Sequence, residues 1–581
     1  MAGVISNWQT LRRLAGAATL AILVSACGGS GGGSSGPTAP PAGPPPTAAE
    51  ASRFLSQATM GPTQGSIDFV IRVGYQGWLN DQFNKPMRPH FDYLQARQAE
   101  LQALTPPQNV GQNEFFQSWW GQALGSEDQL RQRVTFALSQ IFVVSFQNDT
   151  TVNYPRGMAS YYDMLARNAF GNYRTLLEDV SRHPMMGIYL THMRNQKAGG
   201  TRVPDENYAR EVMQLFSIGL FQLNPDGTVK TDSNGRPLET YGDDDIKGLS
   251  RVFTGFSWYA GPNMADRTDS RFFGGAGPAE REWTPMQGYA KFHEQGEKRF
   301  LGTTIAAQTT ADPDASLKAA LDFLANHPNT APFISKLLIQ RLVTSNPSPA
   351  YVGRVSNVFR TSNGDLKQVI SAILLDTEAR TASTANNVGK LREPILRATA
   401  WGRAFGATSD STRYLMGSTD DPLGSLSQTP MRSPTVFNFF RAGYVPPNSA
   451  TGGASLTAPE FQIVHETSVV GYMNFMRNAV QNGIGGRASG ATRNDIQPNY
   501  TAEIALAERP DDLVNRLDML LTGGSMTTAN KQIIRDAINS VAIPALAANG
   551  SNQAQVDAAK LTRARLGVYL TLASPEFLIQ K

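Results

Sequence analysis

Cysteine is what this chain has least of: one residue, Cys27, in 581. A single thiol makes no intramolecular disulfide, no CxxC redox pair, no thiolate zinc site, no iron–sulfur cluster and no CxxCH haem attachment. Histidine is also scarce, with only His90, His183, His192, His293, His327 and His465, which leaves few ligand sets for a metal. Charged residues make up 17% of the chain and the formal net charge is +4, so there is no basic stripe of the kind that holds nucleic acid. No run approaches the roughly 20 apolar residues of a bilayer-spanning helix. Walker A, HExxH, kinase and strand-following GxGxxG signatures are missing as well, so no nucleotide motif and no standard reaction is written in the chain. What is present is 41% hydrophobic residues over a length beyond one ordinary core. That excludes a disordered chain and predicts one large body, with room for two lobes meeting near residues 259–300.

The lone cysteine has an informative position. Arg12 and Arg13 form a short basic end, Leu14 to Val24 an apolar run, and Ser25 and Ala26 lead into Cys27. An apolar run of about 11 residues has the length of a signal-peptide core and is too short to cross a bilayer as a mature helix. Residues 1–26 therefore read as an export signal. Val24-Ser25-Ala26-Cys27 resembles the lipobox of bacterial lipoproteins, which implies cleavage before Cys27 and acylation of that residue. The plainer alternative is an incidental cysteine near an ordinary cleavage site. Cleavage would remove two of the 52 basic residues and none of the 48 acids, lowering the charge from +4 to +2. Gly28 in place of Asp implies, by the same resemblance, an outer-membrane lipoprotein whose partner is the membrane, through its N-terminal lipid. Several acyl chains anchor stably where one holds marginally. Residues 27–46 are then the acylated cysteine and a tether, GGSGGGSSGPTAPPAGPPP from Gly28 to Pro46, with a coil-like reach of roughly 25 Å.

Residues 47–581 form the body. Thr47-Ala48-Ala49-Glu50 is a capping box opening a helix to about Met60. Apolar residues at three-four spacing predict further helices over 64–84, 126–144, 159–182, 204–222, 316–325, 332–344, 365–377, 391–406, 511–521, 528–541 and 554–572. Asn224-Pro225-Asp226-Gly227 and Ser233-Asn234-Gly235 are turn chemistry around one hairpin. A second short pair is expected to flank Gln295-Gly296, with long loops over 259–290 and 485–500. Ala458-Pro459 and Ser574-Pro575 read as helix starts with Pro at the first position. The fold class is mainly α: a large multi-helical body with one or two small β-hairpin insertions and long loops.

The densest polar cluster is Pro204 to Glu211, leading into Val212-Met213-Gln214-Leu215-Phe216. On a helix Glu206 pairs with Arg210, while Asn207, Glu211 and Gln214 share one side next to Tyr208, Val212 and Leu215. A partly buried Glu211 has the setting of a general acid or metal ligand, against the plainer reading of a structural Glu–Arg pair. His293 lies in a loop-rich stretch and is the histidine most expected to be exposed. Asp245 belongs to the acidic start Asp243-Asp244-Asp245, whose ordinary role is capping; with Glu211 and His293 it would complete an oxygen-rich divalent-cation site. His183 and His327 each precede Pro, which favours a turn role, with a cleft-facing role as the alternative.

Several phrases run in order through nearly the whole mature chain: Arg53-Phe54-Leu55, Phe136 to Gln140, His183 to Gly187, Asp205 to Phe216, Thr254-Gly255-Phe256, His327-Pro328-Asn329, Arg392-Glu393-Pro394, Ser433 to Tyr444 and Ser574 to Phe577. Together they resemble the bacterial domain-of-unknown-function 1800 family. Phe256 stands where many members show Trp, and Glu294 where many have Asp after the His. The resemblance implies an exported, mainly helical protein. It also implies a partner among secreted proteins of the domain-of-unknown-function 1501 family, which look like sulfatases and phosphatases. Beside a purely structural envelope component whose charges are all satisfied by local pairs, two functional readings stay open. One is an envelope hydrolase acting on a glycan or a sulfated or phosphorylated polymer through Glu206, Asn207, Arg210, Glu211, Asp245 and His293. The other is a non-catalytic scaffold that binds polysaccharide or protein through exposed aromatics such as Trp119, Trp120, Trp258, Tyr259 and Trp283.

Overall fold

Helix formation starts at the capping box that the sequence predicts: the Thr47 side chain accepts from the Glu50 N–H and Glu50 Oε2 accepts the Thr47 N–H at 2.8 Å, opening the helix Ala48–Ala58. The computed structural model describes residues 44–581 apart from 384, 386 and 387. The export signal, Cys27 and nearly all of the tether lie outside the described residues. Pro45–Lys581 forms one compact unit.

The body is mainly α. Gln64–Phe83, Pro313–Asn326, Thr330–Leu342, Leu366–Leu375, Pro394–Ala404, Thr528–Asn539 and Gln553–Ala573 form helices close to the expected bounds. Where the bounds differ, local chemistry explains it. The stretch expected at 159–182 is two helices, Pro155–Asn168 and Tyr173–Arg182, because the Asn172 side chain accepts the Arg174 N–H at 2.9 Å and starts the second one. His90–Gln102 and Gln112–Gly125 carry no clear apolar period. The first buries only His90, Leu94 and Arg97, whereas the second buries residues on nearly every side, including Phe115, Phe116, Trp119 and Trp120.

Among the described residues the sheets are two-stranded, and Lys298–Phe300 with Thr303–Ile305 is the longest of them. Its turn falls at Leu301-Gly302, a few residues beyond the expected Gln295-Gly296. The hairpin expected around Asn224 to Tyr241 closes further than a hairpin does. The Gln222 N–H donates to the Leu238 carbonyl, the Lys230 N–H to Gln222 and the Leu238 N–H to Lys230, all at 2.8–2.9 Å. Each of three segments thus pairs with the other two, giving a small triangular insert.

One apolar core runs through the helices, with a satellite of Ala260, Phe272, Tyr289 and Phe292 under the irregular 259–290 stretch. The core takes up aromatics that were expected outside: Trp119, Trp120 and Trp258 are 1%, 0% and 5% exposed. A tryptophan places a very large apolar area, and sealing it stabilises the fold more than an exposed patch would. These three are not a binding strip.

Candidate functional site

The charge cluster singled out in the sequence does not assemble. His293 is fully buried, and both ring nitrogens are used: Nδ1 donates to the Thr254 carbonyl at 2.8 Å and Nε2 accepts from Ser316 Oγ at 2.9 Å. That arrangement leaves no lone pair for a metal. Burial holds its pKa down to about 4, so the ring is neutral. The family phrase Thr254-Gly255-Phe256 belongs to the same clamp. Gly255 has φ +80°, and a Cβ there would lie 2.9 Å from His293 atoms. Asp245 is a cap and a clasp: its carboxylate accepts the Gly242 N–H at 2.8 Å and the Leu301 N–H at 2.6 Å. The expected cation site of Glu211, Asp245 and His293 is therefore corrected. Among the described residues no group of three or more His, Cys, Asp or Glu is placed to hold a metal ion.

Other members of the cluster are also engaged locally. Glu206 and Arg210 approach to 3.9 Å with 37% and 43% of their side chains exposed, a weak surface pair. Asn207 reaches Thr191 Oγ1 at 3.4 Å. His183 caps the helix Pro184–Tyr189, with Nδ1 accepting the Met185 N–H at 3.3 Å. His327 Nδ1 accepts the Asn329 N–H at 3.2 Å beside a hollow of about 330 Å³. His183 Nε2 stays unpaired in the core, and Glu211 keeps open valency as well. Glu211 is 7% exposed, its Oε2 has no partner, and burial raises its pKa despite Arg210 nearby.

A larger feature lies one helical turn beyond Glu211. A cleft of about 840 Å³ opens beside the helix Thr330–Leu342. That helix presents Phe333, Lys336, Leu337, Gln340 and Arg341 to it, the i, i+3, i+4, i+7, i+8 pattern of a single face. Leu220, Phe221 and Val229 of the triangular insert make a second wall. They are 47%, 40% and 41% exposed, which their position at an open cleft accounts for. Gly219 joins the insert to this wall with φ +72°, and a Cβ there would meet the Phe333 ring at 2.7 Å.

The third wall is Val436, Phe437 and Phe440, from a segment that has no regular structure. Here Met431 and Asn438 take left-handed φ of 59° and 66°. Asn438 is also buried with its Nδ2 unpaired. Strained backbone of this kind clusters at functional sites. Tyr241 O–H donates to Gln214 Oε1 at 3.1 Å, and Gln214 lines the cleft, which places Glu211 just behind its edge.

The cleft is apolar but carries unpaired cations. Arg341 is 5% exposed, and its guanidinium lies 4.7 Å from the Phe440 ring centre. Among the described residues it makes no side-chain hydrogen bond and no ion pair. Lys336 makes none either; burial lowers its pKa while Asp226 pulls the other way.

Behind this face lies a sealed ionic layer. Lys390 Nζ lies 3.1 Å from Glu460 Oε1 and donates to the Gln340 and Arg341 carbonyls at 3.0 Å each. Arg133 Nη2 donates to the Arg341 carbonyl at 2.5 Å. These are the last carbonyls of the helix, where its dipole favours cations. Glu393 Oε2 accepts from Gln140 and Gln428, both at 2.6 Å. Gln140 also lines the cleft, so the layer is continuous with the floor. The sequence held a signal for this site: Lys336 and Arg341 interrupt the apolar stripe of residues 332–344. The family phrases Arg392-Glu393-Pro394 and Ser433 to Tyr444 converge on it from far along the chain.

No curated protein and no solved structure matches the chain. A family model described as a protein of unknown function, DUF1800, matches residues 53–579, the span that holds both the clamp and the cleft. The chain belongs to the DUF1800 family.

Proposed function

We propose that the chain is an exported cell-envelope lipoprotein, anchored through Cys27, whose cleft beside the helix Thr330–Leu342 binds an apolar or amphiphilic small molecule. The observation that carries the binding reading is the cleft itself. Its volume of about 840 Å³ falls in the range of small-molecule sites, and its walls are aromatic and aliphatic with a few polar groups among them. The location rests on residues 12–27 of the sequence. Among the described residues no helix is long and apolar enough to cross a membrane, and a lipid anchor needs none.

The neutral fluorophore N-phenyl-1-naphthylamine tests the cleft. Its emission should rise on binding to the protein, and Leu337→Trp, which narrows the cleft at its apolar wall, should weaken that rise while the far-UV spectrum stays unchanged. An equal rise in both proteins rejects the reading. For the anchor, Cys27→Ser should move the protein from the membrane to the soluble fraction, and an unchanged membrane fraction would count against it.

Glu211 supports a second reading, an envelope hydrolase acting on a glycan or on a sulfated or phosphorylated polymer. A buried carboxyl group with a raised pKa and a free oxygen beside a cleft has the setting of a general acid. Glu211→Gln should then abolish turnover and leave fluorophore binding intact; full activity in the variant rejects the assignment. Under either reading the secreted sulfatase- or phosphatase-like partner implied by the family resemblance would share the protein's compartment.

A further inference from the structure

The cleft contains a guanidinium that the protein does not satisfy. Arg341 is 95% buried by residue area, stacks over Phe440 at 4.7 Å and faces the cleft without a hydrogen bond or ion pair among the described residues. Lys336 brings a second unpaired cation to the same helical face. Taking a charge out of water without a partner is costly. The neighbouring Lys390 avoids that cost through the carbonyls of Gln340 and Arg341 and the carboxylate of Glu460, while Arg133, sealed in the core away from the cleft, meets one carbonyl and keeps Nε and Nη1 unpaired. The sealed carboxylates Glu393 and Glu460 attract Arg341 from a distance and form no ion pair with it among the described residues.

We infer that the ligand of this cleft is an anionic amphiphile: an apolar chain or ring system that lies along Phe333, Leu337 and Phe440 and ends in a carboxylate or phosphate held by Arg341, with Lys336 as the second positive contact. A planar guanidinium offers two parallel N–H donors to either oxyanion, and stacking on Phe440 fixes the direction of that fork. The apolar walls exclude water, which strengthens the pairing. This inference rests on the cleft being a binding site and adds the chemical class of its occupant.

Equilibrium dialysis of the full-length Cys27→Ser chain against labelled dodecanoate, dodecyl phosphate and dodecanol separates the two claims. Both acids should bind at least roughly tenfold more tightly than the alcohol, the scale of a charge-assisted hydrogen-bonded pair. Arg341→Met should bring the acids down to the affinity of dodecanol, whose own binding stays the same; Arg341→Lys should retain part of the preference. Equal binding of all three by the parent chain would overturn the inference and leave the cleft reading standing. No binding of any of them would overturn both. Inorganic phosphate competing as well as dodecyl phosphate would also overturn it, because the recognised species would then be the free ion. An unchanged acid preference in a folded Arg341→Met protein would remove the assigned residue and the inference with it.

Discussion

The Thr254–His293 clamp and the cleft face of the helix Thr330–Leu342 both hide polar side chains from water, and they do opposite things with them. In the clamp every polar atom of His293 meets a protein partner, Thr254 on one side and Ser316 on the other. In the cleft Arg341 is almost as well hidden and meets only the face of Phe440. Burial alone therefore does not mark a functional residue. Open valency that faces a cleft does, because a ligand can complete it there; sealed unpaired atoms such as Trp120 Nε1 and Arg133 Nε have no such access.

Acid should break the clamp side of this comparison most severely. Burial lowers the pKa of His293 and His192 to about 4, and of His90 and His183 to about 3, from an ordinary 6.5. Each ring is neutral in the fold. Its stabilising contribution is complete above pH 6.5 and is lost as pH falls toward the folded-state value, on the order of 3 kcal/mol per ring. Asp163 runs the other way: its pKa is raised to about 7, and burial also raises Asp128, Glu211 and Glu282, so these penalties fade as pH drops. The four histidine shifts outweigh them, and urea unfolding followed from pH 7 to pH 4 should show a net loss of stability. A flat profile would mean that the rings are not sealed.

The ionic layer behind the cleft gives the next largest effect. Lys390 and Glu460 are 3% and 1% exposed and 3.1 Å apart. Glu460→Ala would remove the nearer of two carboxylates from Lys390, leaving Glu393 at 3.9 Å and two helix carbonyls beside Arg133, at a cost of about 3 kcal/mol in unfolding free energy. A loss below about 1 kcal/mol, the size of an exposed pair, would show that water reaches the layer.

The difference between the two regions also explains what could be read from the sequence. Helices with one apolar stripe, such as Pro313–Asn326, were legible because burial on a single face leaves a three-four period. Gln112–Gly125 was not, since it buries Phe115, Phe116, Trp119 and Trp120 around its circumference and erases the period. At the site, the sequence exposes charge density but not valency. Pro204 to Glu211 is dense in charge, yet Glu206 and Arg210 settle at the surface, and only Glu211 keeps an open oxygen. Arg341 reads as ordinary in the sequence because its meaning depends on Phe440 and on the insert around Phe221, 99 and 120 residues away in the chain. The local phrase Thr254-Gly255-Phe256 could be recognised as a family feature, but its role as the seat of His293 appears only when the two segments meet.

Gly219→Ala probes the cleft wall from the backbone. The residue has φ +72°, and the added methyl would lie 2.7 Å from Phe333. Backbone strain and overpacking together should cost about 1–3 kcal/mol. Phe333 can yield only by moving, so fluorophore affinity should fall along with stability. Unchanged binding in a destabilised variant would separate Gly219 from the cleft.

The smallest effect on stability is expected at the residue most important for binding. Arg341 makes no hydrogen bond or ion pair for a substitution to break among the described residues, and its contact with Phe440 has the size of a cation–π pair, about 0.5–2 kcal/mol. Against that stands the desolvation of an unpaired guanidinium, which methionine removes while keeping an apolar stem in place. The two contributions nearly cancel, so Arg341→Met should leave the unfolding free energy within about 1 kcal/mol of the parent, most plainly on the stabilising side. Glu460→Ala, a single layer deeper, should lose several times that amount under the same conditions. Equal losses in the two variants would mean that Arg341 is held by the protein after all, and the contrast between satisfied and open valency would no longer distinguish the cleft from the core.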